Sequence, residues 1–247
     1  MKICLFQQKI KFENYKYNLE IFKEEIIKCN CDLILFPELS LVGFTKNPKE
    51  NYYNPINELI ELSIKHNRAI GIGYVNKIDD SYYNEYSIIN KNEVVTYQKI
   101  HLFSYGDENL YYTPGNSLKT IKIKDFNIGL SICYDLRFPE QFQALGDTCD
   151  LIITPSFWPE SRINQYSILL AARAIENQCY TIGINGIGDY DNLHYNGCSC
   201  CYNPKGEEIV LSKKEENIIF EINNDIKYYI VKMNIRKDRI KIKPQGN

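Results

Sequence analysis

The chain has 247 residues, of which 44% are hydrophobic and 24% charged, and its formal net charge is −2. This composition argues against intrinsic disorder, and the nearly balanced charge gives no electrostatic footprint for a nucleic-acid partner. Because α/β proteins of this length often form one domain, we expect a single domain spanning residues 1–247.

The nine cysteines are odd in number and scattered through apolar segments, unlike the cysteines of a small disulfide scaffold. They are typical of reduced thiols, so we expect a cytoplasmic protein. The first ten residues, M-K-I-C-L-F-Q-Q-K-I, lack the apolar length of a signal peptide, and no run in the chain approaches a membrane span. We therefore expect neither export nor insertion into a membrane.

The first half of the chain alternates predicted strands with predicted helices. Apolar runs and apolar residues at helical spacing predict these elements in order: strand 2–8, helix 15–29, strand 32–36, helix 55–67 and strand 69–75. Two antiparallel strands follow, 82–90 and 94–100, joined by a turn at Asn90-Lys91-Asn92-Glu93. The stretch from His101 to Asn116 is irregular, polar and aromatic enough to line a cleft.

The second half repeats the pattern of strand followed by helix. Its predicted elements are strand 126–132, a helix that begins near Pro139, strand 150–154, helix 162–178, strand 179–184, a glycine-rich loop to Gly197, a strand from Ser199, and paired strands through Glu221. In helix 162–178 we expect the apolar stripe to consist of Ile168, Leu169, Ala172 and Ile175. The layout predicts two sheets face to face with helices outside.

One cysteine, Cys133, lies where a predicted strand ends and a predicted helix approaches. The segment Ser131–Glu140 reads S-I-C-Y-D-L-R-F-P-E, and Pro139 has the fixed φ that suits a first helical position. The carboxyl end of a strand is where open α/β sheets bind ligands, so Cys133 is a candidate nucleophile. A lone cysteine at a strand end is nevertheless more often a small buried hydrophobic residue, and this alternative stays open.

Glu38 and Lys99 also stand at the ends of predicted strands. With Cys133 they supply a thiol, a carboxylate that can take its proton, and a cation that can stabilise a thiolate and then an oxyanion. Those three groups fit acyl transfer. The alternative is an exposed Glu38–Lys99 ion pair near a structural cysteine.

Three blocks around these residues resemble the signature blocks of the nitrilase superfamily of carbon-nitrogen hydrolases: F-P-E-L at Glu38, Y-Q-K-I-H-L-F at Lys99 and C-Y-D-L-R-F-P-E at Cys133. The resemblance implies an α/β fold, an α-β-β-α sandwich of two mixed sheets face to face with helices outside, paired through its helices into a homodimer or higher assembly. It implies thioester catalysis without a metal or organic cofactor. Cys133 would be the nucleophile, Glu38 the general base, and Lys99 the oxyanion stabiliser with the backbone N–H of Tyr134.

A second glutamate often precedes the P-G-N turn in this family, and Glu108 in G-D-E-N-L-Y-Y-T-P-G-N matches it. The resemblance implies that Glu108 positions the catalytic groups. The alternative is a solvated loop acid, because loops normally lie on the surface.

Further blocks resemble the omega-amidase branch, which hydrolyses the terminal amide of 2-oxo acids such as 2-oxoglutaramate. They are W-P-E-S-R (158–162), A-R-A-I-E-N-Q (172–178) and H-Y-N-G-C-S (194–199). The carboxylate of such a substrate needs a cation, for which an arginine fork is suited. Arg137 and Arg162 are the candidates, and Trp158 is a candidate wall of the acyl pocket. Alternatively, Arg137 braces Asp135 or Glu140, Arg162 only begins a helix, and Trp158 only packs.

The same residues are also compatible with other functions. The triad also suits another small-molecule amidase or an N-carbamoyl hydrolase, and a non-catalytic scaffold can keep the same fold. The cluster of His194, Cys198, Cys200 and Cys201 suggests zinc binding or redox sensing, because Cys198 and Cys201 have the spacing of a C-x-x-C motif. On a strand those two residues point to opposite faces, so we expect no metal site there. The exact amide and its acyl chain length are not fixed by the sequence.

Overall fold

The computed structural model describes residues 1–190 and 192–240, so the last seven residues of the predicted domain lie outside the described residues. The helices are α1 Tyr15–Lys28, α2 Pro48–Asn51, α3 Ile56–His66, α4 Pro139–Gly146, α5 Ile163–Asn177 and α6 Ile226–Lys232. The 3₁₀ helices are Ser104–Gly106, Glu108–Leu110, Cys133–Arg137, Glu160–Arg162 and Ile235–Asp238.

The strands follow the predicted order closely. They are β1 Lys2–Gln7, β2 Leu33–Leu35, β3 Ala69–Ile78, β4 Ser81–Asn90, β5 Glu93–Gln98, β6 Thr120–Ile123, β7 Phe126–Leu130, β8 Leu151–Ser156, β9 Tyr180–Asn185, β10 Ile187–Tyr190, β11 Leu193–Asn196, β12 Ser199–Tyr202, β13 Glu208–Ser212 and β14 Glu216–Glu221. The hairpin of β10 and β11 occupies the segment that glycine content predicted as a loop.

Two mixed sheets form the centre of the fold. The first has the order β14-β1-β2-β3-β4-β5 and the second has the order β13-β12-β9-β8-β7-β6. In each sheet three central strands run parallel, β1-β2-β3 and β7-β8-β9, and the flanking pairs are antiparallel. The parallel strands of the two sheets therefore end in loops that can meet over one site.

The two sheets pack face to face through alternating side chains. Leu5 and Leu35 of the first sheet share one core cluster with Leu130 and Ile153 of the second. The alternate residues of the first sheet, such as Ile34, pack outward with residues of α1 and α3. The structure thus confirms the predicted α-β-β-α sandwich of two mixed sheets with helices outside.

The last strand pairs with a strand of the other sheet. β13 pairs with β12 in the second sheet, whereas β14 crosses over and pairs antiparallel with β1 in the first sheet, with Lys2 opposite Glu221. The predicted paired strands through Glu221 are present, but β14 pairs with β1 and not with β13. The reason is that β1 has a free edge, which β14 covers.

The predicted apolar stripe of α5 is correct for Leu169, which packs against the core, but wrong for Ile168 and Ile175. Ile168 is 68% exposed and Ile175 is 50% exposed, whereas the buried face includes Arg173 and Asn177. Both side chains have hydrogen-bond partners inside the protein, because Arg173 Nη2 donates to Leu136 O at 2.9 Å and Asn177 Nδ2 donates to Arg173 O at 2.9 Å. Arg173 Nε is buried without a partner among the described residues. The spacing of apolar residues alone cannot show which face of such a helix is buried.

No helix in residues 1–190 or 192–240 combines the length and the apolar character that crossing a membrane requires.

Candidate active site

The Glu38 carboxylate lies in the turn that follows β2 and is 1% exposed. Its Oε2 accepts a hydrogen bond from Phe157 N at 3.0 Å, and its Oε1 accepts one from Lys99 Nζ at 2.7 Å. The turn passes so close to β3 that a Cβ on Gly73 would lie 2.5 Å from Leu39 N and 2.6 Å from Pro37 O. Glycine at position 73 therefore allows the turn to place Glu38.

Lys99 follows β5 and is 1% exposed. Its ammonium group donates to Glu38 Oε1 at 2.7 Å and to Glu108 Oε2 at 2.8 Å. Burial alone lowers the pKa of Lys99, but the Glu108 and Glu38 carboxylates outweigh it and hold that pKa well above its usual range. Lys99 is therefore a permanent cation at neutral pH, and not a proton acceptor.

Cys133 begins the 3₁₀ helix that follows β7, and its φ of +45° lies in the left-handed region. Such a backbone conformation is strained in a non-glycine residue and is common at functional turns. The Asp135 carboxylate holds the turn, because it accepts hydrogen bonds from Ile132 N at 2.9 Å, Tyr97 Oη at 2.7 Å and His101 N at 2.9 Å. As predicted, Pro139 is the first residue of α4.

The Cys133 thiol is protonated in the resting protein. Burial raises its pKa well above the usual range, the Glu38 carboxylate raises it further, and Lys99 only partly opposes them. A thiol in this state needs a base beside it to become a nucleophile. Glu38, whose carboxylate lines the same cavity and acts on the pKa of the thiol, is placed for that role.

Glu108 is buried, with 1% of its surface exposed. Its carboxylate accepts from Lys99 Nζ and from Phe103 N, the latter at 2.6 Å. Burial raises the pKa of Glu108, and the Lys99 ammonium opposes that shift. This environment differs from that of a solvated loop acid.

Asn84 joins the two carboxylates, and the sequence reasoning missed it. Its Nδ2 donates to Glu38 Oε1 and to Glu108 Oε1, both at 2.8 Å, and it is 1% exposed. The signal was present in the predicted hairpin, because a turn that pairs Asn90 with Glu93 brings Asn84 opposite Lys99. Lys99 N indeed donates to Asn84 O at 3.0 Å.

A cavity of about 180 Å³ opens onto Cys133. Its floor, defined as Glu38 and Lys99 with Cys133 beside them, is polar, and Glu108 lies behind it. Its walls are largely aromatic and carry two cationic side chains: Phe44, Lys46, Phe103, Tyr105, Phe157, Arg162, Tyr190, Leu193 and Tyr195. Such a space suits a small molecule with a polar reacting end.

The two candidate arginines lie in different places. Arg162 lines the main cavity and also borders a smaller recess beside Cys133, with its guanidinium 5.5 Å from the centre of the Phe103 ring. Arg137 does not line the main cavity, but borders the smaller recess, donates to Gln165 Oε1 at 2.8 Å and lies 4.8 Å above the Trp158 ring. The Arg137 guanidinium thus has protein partners of its own.

Trp158 and Tyr134 also border the smaller recess and not the main cavity. Trp158 Nε1 donates to Arg162 O at 2.9 Å, so this side chain fixes the backbone from which Arg162 extends. The aromatic wall beside Cys133 is Phe157. Tyr134 is the second residue of the 3₁₀ helix, where backbone N–H groups have no partner within the helix.

The remaining cysteines are free thiols, and the Cys198–Cys201 segment is buried. Cys198 precedes β12 with a φ of +63°, and Cys201 lies within that strand. Across the part of the chain that the structure describes, no group of three or more His, Cys, Asp or Glu side chains is arranged to hold a metal ion.

This fold and this site define a class of enzyme. The family model for carbon-nitrogen hydrolases matches residues 3–229. The chain belongs to the carbon-nitrogen hydrolase family, and it is an enzyme that hydrolyses amides. The resemblance drawn from the three sequence blocks is therefore confirmed.

Among named relatives, the chain is similar to an omega-amidase. It is 34% identical over 215 residues to Omega-amidase YafV of Yersinia enterocolitica, covering 84% of this chain and 83% of the relative. It is 32% identical to Omega-amidase YafV of Escherichia coli K12, with 85% and 84% covered. It is 29% identical to 2-oxoglutaramate amidase of Bacillus subtilis, with 84% and 83% covered.

Solved structures share the fold. A CN-hydrolase superfamily protein from Xanthomonas campestris, with an arsenic adduct in its active site, superposes with a TM-score of 0.92 at 23% identity, covering 99% of both chains. A mutant of an amidase from Nesterenkonia, in complex with butyramide, superposes with a TM-score of 0.84 at 20% identity, covering 97% of this chain and 94% of the amidase.

Proposed function

We propose that this protein hydrolyses the terminal amide of small 2-oxo acid amides, such as 2-oxoglutaramate, to the acid and ammonia. The observation that carries the proposal is that Glu38, Lys99 and Cys133 meet at one small cavity with cationic residues on its walls. The similarity to proteins named omega-amidase and 2-oxoglutaramate amidase supports the same substrate class.

The reaction begins when Cys133 Sγ attacks the amide carbonyl carbon while its proton passes to Glu38. A C–S bond forms, and the oxyanion is stabilised by Lys99 Nζ and the backbone N–H of Tyr134. The C–N bond then breaks, and Glu38 returns the proton to the departing ammonia. The product of this half-reaction is a thioester on Cys133.

Water completes the cycle. Glu38 removes a proton from water, which attacks the thioester carbonyl, and the same cation and N–H stabilise the second oxyanion. The C–S bond breaks, the acid leaves, and Glu38 returns the proton to the Cys133 thiolate. In both halves Glu108 holds Lys99 in place, and every step uses groups of this chain alone.

For the substrate carboxylate we propose Arg162 as a partner, because its guanidinium borders the main cavity. Arg137 and Trp158 position Arg162 without contacting the substrate. Trp158 holds the Arg162 backbone, and Arg137 packs over the Trp158 ring.

The competing proposals are an N-carbamoyl hydrolase, another small-molecule amidase and a non-catalytic scaffold. Ammonia release by the purified protein separates them, measured with 2-oxoglutaramate and with an N-carbamoyl amine at equal concentrations. We expect at least tenfold higher kcat/KM for 2-oxoglutaramate. Preference for the N-carbamoyl amine would replace the proposed substrate, and inactivity on every amide would favour the scaffold.

We also propose that the protein acts in the cytoplasm as a homodimer or higher homo-oligomer, and that residues 1–247 form one domain. Nine free cysteines support a reducing compartment. The exposed Ile168 and Ile175 on α5 support pairing through that helix, because exposed apolar patches commonly mark protein interfaces.

A further inference from the structure

The charges of the active-site cavity are unequally distributed. The floor and the layer behind it hold two carboxyl groups, Glu38 and Glu108, and one ammonium group, Lys99. The cations Lys46 and Arg162 lie on the walls. A neutral amide can approach that floor without penalty, but a carboxylate is repelled from it and attracted to the walls.

Lys46 projects from a segment that is held in place. Thr45 O accepts a hydrogen bond from Tyr112 Oη at 2.9 Å, and Thr45 N donates to Gly43 O at 2.8 Å. The Thr45 hydroxyl bonds to Glu13, and the neighbouring Phe44 ring lines the cavity. The Lys46 backbone is therefore fixed at the cavity while its side chain remains 45% exposed.

The Asp107 carboxylate, which lies near Lys46, is a weak competitor for its ammonium. Asp107 Oδ2 lies 4.0 Å from Lys46 Nζ, and the Asp107 side chain is 58% exposed. An ion pair at that distance between two solvated side chains contributes little. A substrate carboxylate held inside the cavity is less solvated than Asp107 and can compete with it for the Lys46 ammonium.

We propose that Lys46 is a specificity-determining residue: its ammonium binds the substrate carboxylate from one wall of the cavity, while Arg162 binds it from another. The inference rests on the proposed function for the identity of the substrate. Two cations on the walls and a reactive floor select molecules that carry an amide at one end and a carboxylate at the other.

The test compares charged and neutral ligands in Lys46→Gln and in the control Lys49→Gln, an exposed lysine on α2 that does not line the cavity. Kinetic constants are measured for 2-oxoglutaramate and for butyramide, which has an amide but no carboxylate. Inhibition of butyramide hydrolysis by the dicarboxylate succinate is measured in the same variants.

For Lys46→Gln we expect the KM for 2-oxoglutaramate and the Ki of succinate to rise about 10-fold to 100-fold. The kcat and KM for butyramide should stay within about twofold, as should all constants of Lys49→Gln. Added salt should raise the KM for 2-oxoglutaramate in the unsubstituted protein more than in Lys46→Gln.

The outcomes distinguish failure of the Lys46 inference from failure of the proposed function. If the unsubstituted protein hydrolyses 2-oxoglutaramate but Lys46→Gln leaves KM and Ki unchanged, the role of Lys46 is refuted and the proposed function stands. If Lys46→Gln impairs butyramide equally, the residue is structural and the inference is overturned. If the protein hydrolyses butyramide but not 2-oxoglutaramate, the proposed function fails, and an unchanged Ki for succinate then overturns the inference as well.

Discussion

At the scale of single residues, the site is a buried network of charges around a neutral thiol. Lys99 Nζ contacts two carboxylates within 2.8 Å, and Asn84 Nδ2 bridges the same two groups. Burial in this network raises the pKa of Cys133 well above its usual range. In the proposed mechanism the nucleophile therefore forms when Glu38 takes the proton, and not by ionisation at rest.

The resting state of Cys133 gives a direct prediction. The ultraviolet difference in thiolate absorbance between the protein and Cys133→Ala should be absent at pH 7 and appear only at alkaline pH. In Lys99→Met the difference should move to still higher pH, because the cation that opposes the raised pKa is gone. A thiolate signal from Cys133 at neutral pH would contradict this mechanism.

The bridging amide of Asn84 gives a second prediction. Its donor favours the charged form of Glu108, whose pKa burial already raises, so Asn84→Ala should raise that pKa further. Protonated Glu108 holds Lys99 less firmly, so the acid limb of kcat/KM should move to higher pH. We also expect kcat to fall about 10-fold to 100-fold, the range for losing a hydrogen bond to a charged group.

The control for that experiment is Asn84→Asp, which replaces the donor with a third carboxylate. Its acid limb should lie at higher pH than that of Asn84→Ala, because like charges raise one another's pKa. If kcat/KM keeps the profile of the unsubstituted protein in both variants, Asn84 only fills space.

At the scale of elements, the site depends on how closely strands pass the turns that carry its residues. Gly73 on β3 faces the backbone of the Glu38 turn, which cannot shift without moving the carboxylate. Gly129 on β7 instead faces the side chains of Cys149 and Leu145, where a Cβ would lie 3.0 Å from Sγ and 3.1 Å from Cδ2. Side chains relax more readily than a backbone turn.

Gly73→Ala should therefore lower activity more than Gly129→Ala. We expect the first to displace Glu38 and to destabilise the fold by about 1–3 kcal/mol, the usual range for overpacking. Activity and thermal unfolding of the two variants, measured together, check this. Full activity in Gly73→Ala, with Gly129→Ala impaired, would contradict the proposed role of the turn.

Strands and helix ends were predictable from the sequence where nearby residues determine them. Buried apolar runs located β2, β8 and β9, and Pro139 marked the start of α4, because fixed φ and burial act locally. The hairpin of β10 and β11 was missed, since its glycines suggested a loop. The buried face of α5 was misassigned in part because Arg173 donates to Leu136 O and Asn177 Oδ1 accepts from Arg239, two partners distant in sequence that no periodicity reveals.

Part of the site was also predictable, because local sequence motifs mark some of its residues. Motifs singled out Glu38, Lys99, Cys133 and Glu108, and the structure brings all four together. Lys46 and Asn84 carry no motif, so only the packing of the Thr45 segment and the register of β4 with β5 reveal them. Sequence also could not separate Arg162, which reaches the cavity, from Arg137, which does not.

At the scale of the whole molecule, β14 links the last part of the second sheet to the first by covering β1. The same architecture leaves an apolar surface on α5, with Ile168 68% exposed. Because these side chains are not used in the described core, we assign them to the proposed subunit contact.

Sedimentation velocity tests that contact. Ile168→Asp should shift the assembly toward monomer by placing a charge in an apolar interface. The control Ile219→Asp, at a residue 50% exposed on β14, should leave the sedimentation coefficient unchanged. The reverse pattern would exclude α5 as the contact.

The most direct test of the central claim is ammonia release from 2-oxoglutaramate by the protein and by Cys133→Ala. We expect steady turnover by the unsubstituted protein and a loss of at least about 10³-fold in kcat for the variant, since the nucleophile is required for the thioester. Turnover by Cys133→Ala at the unsubstituted rate would contradict the account.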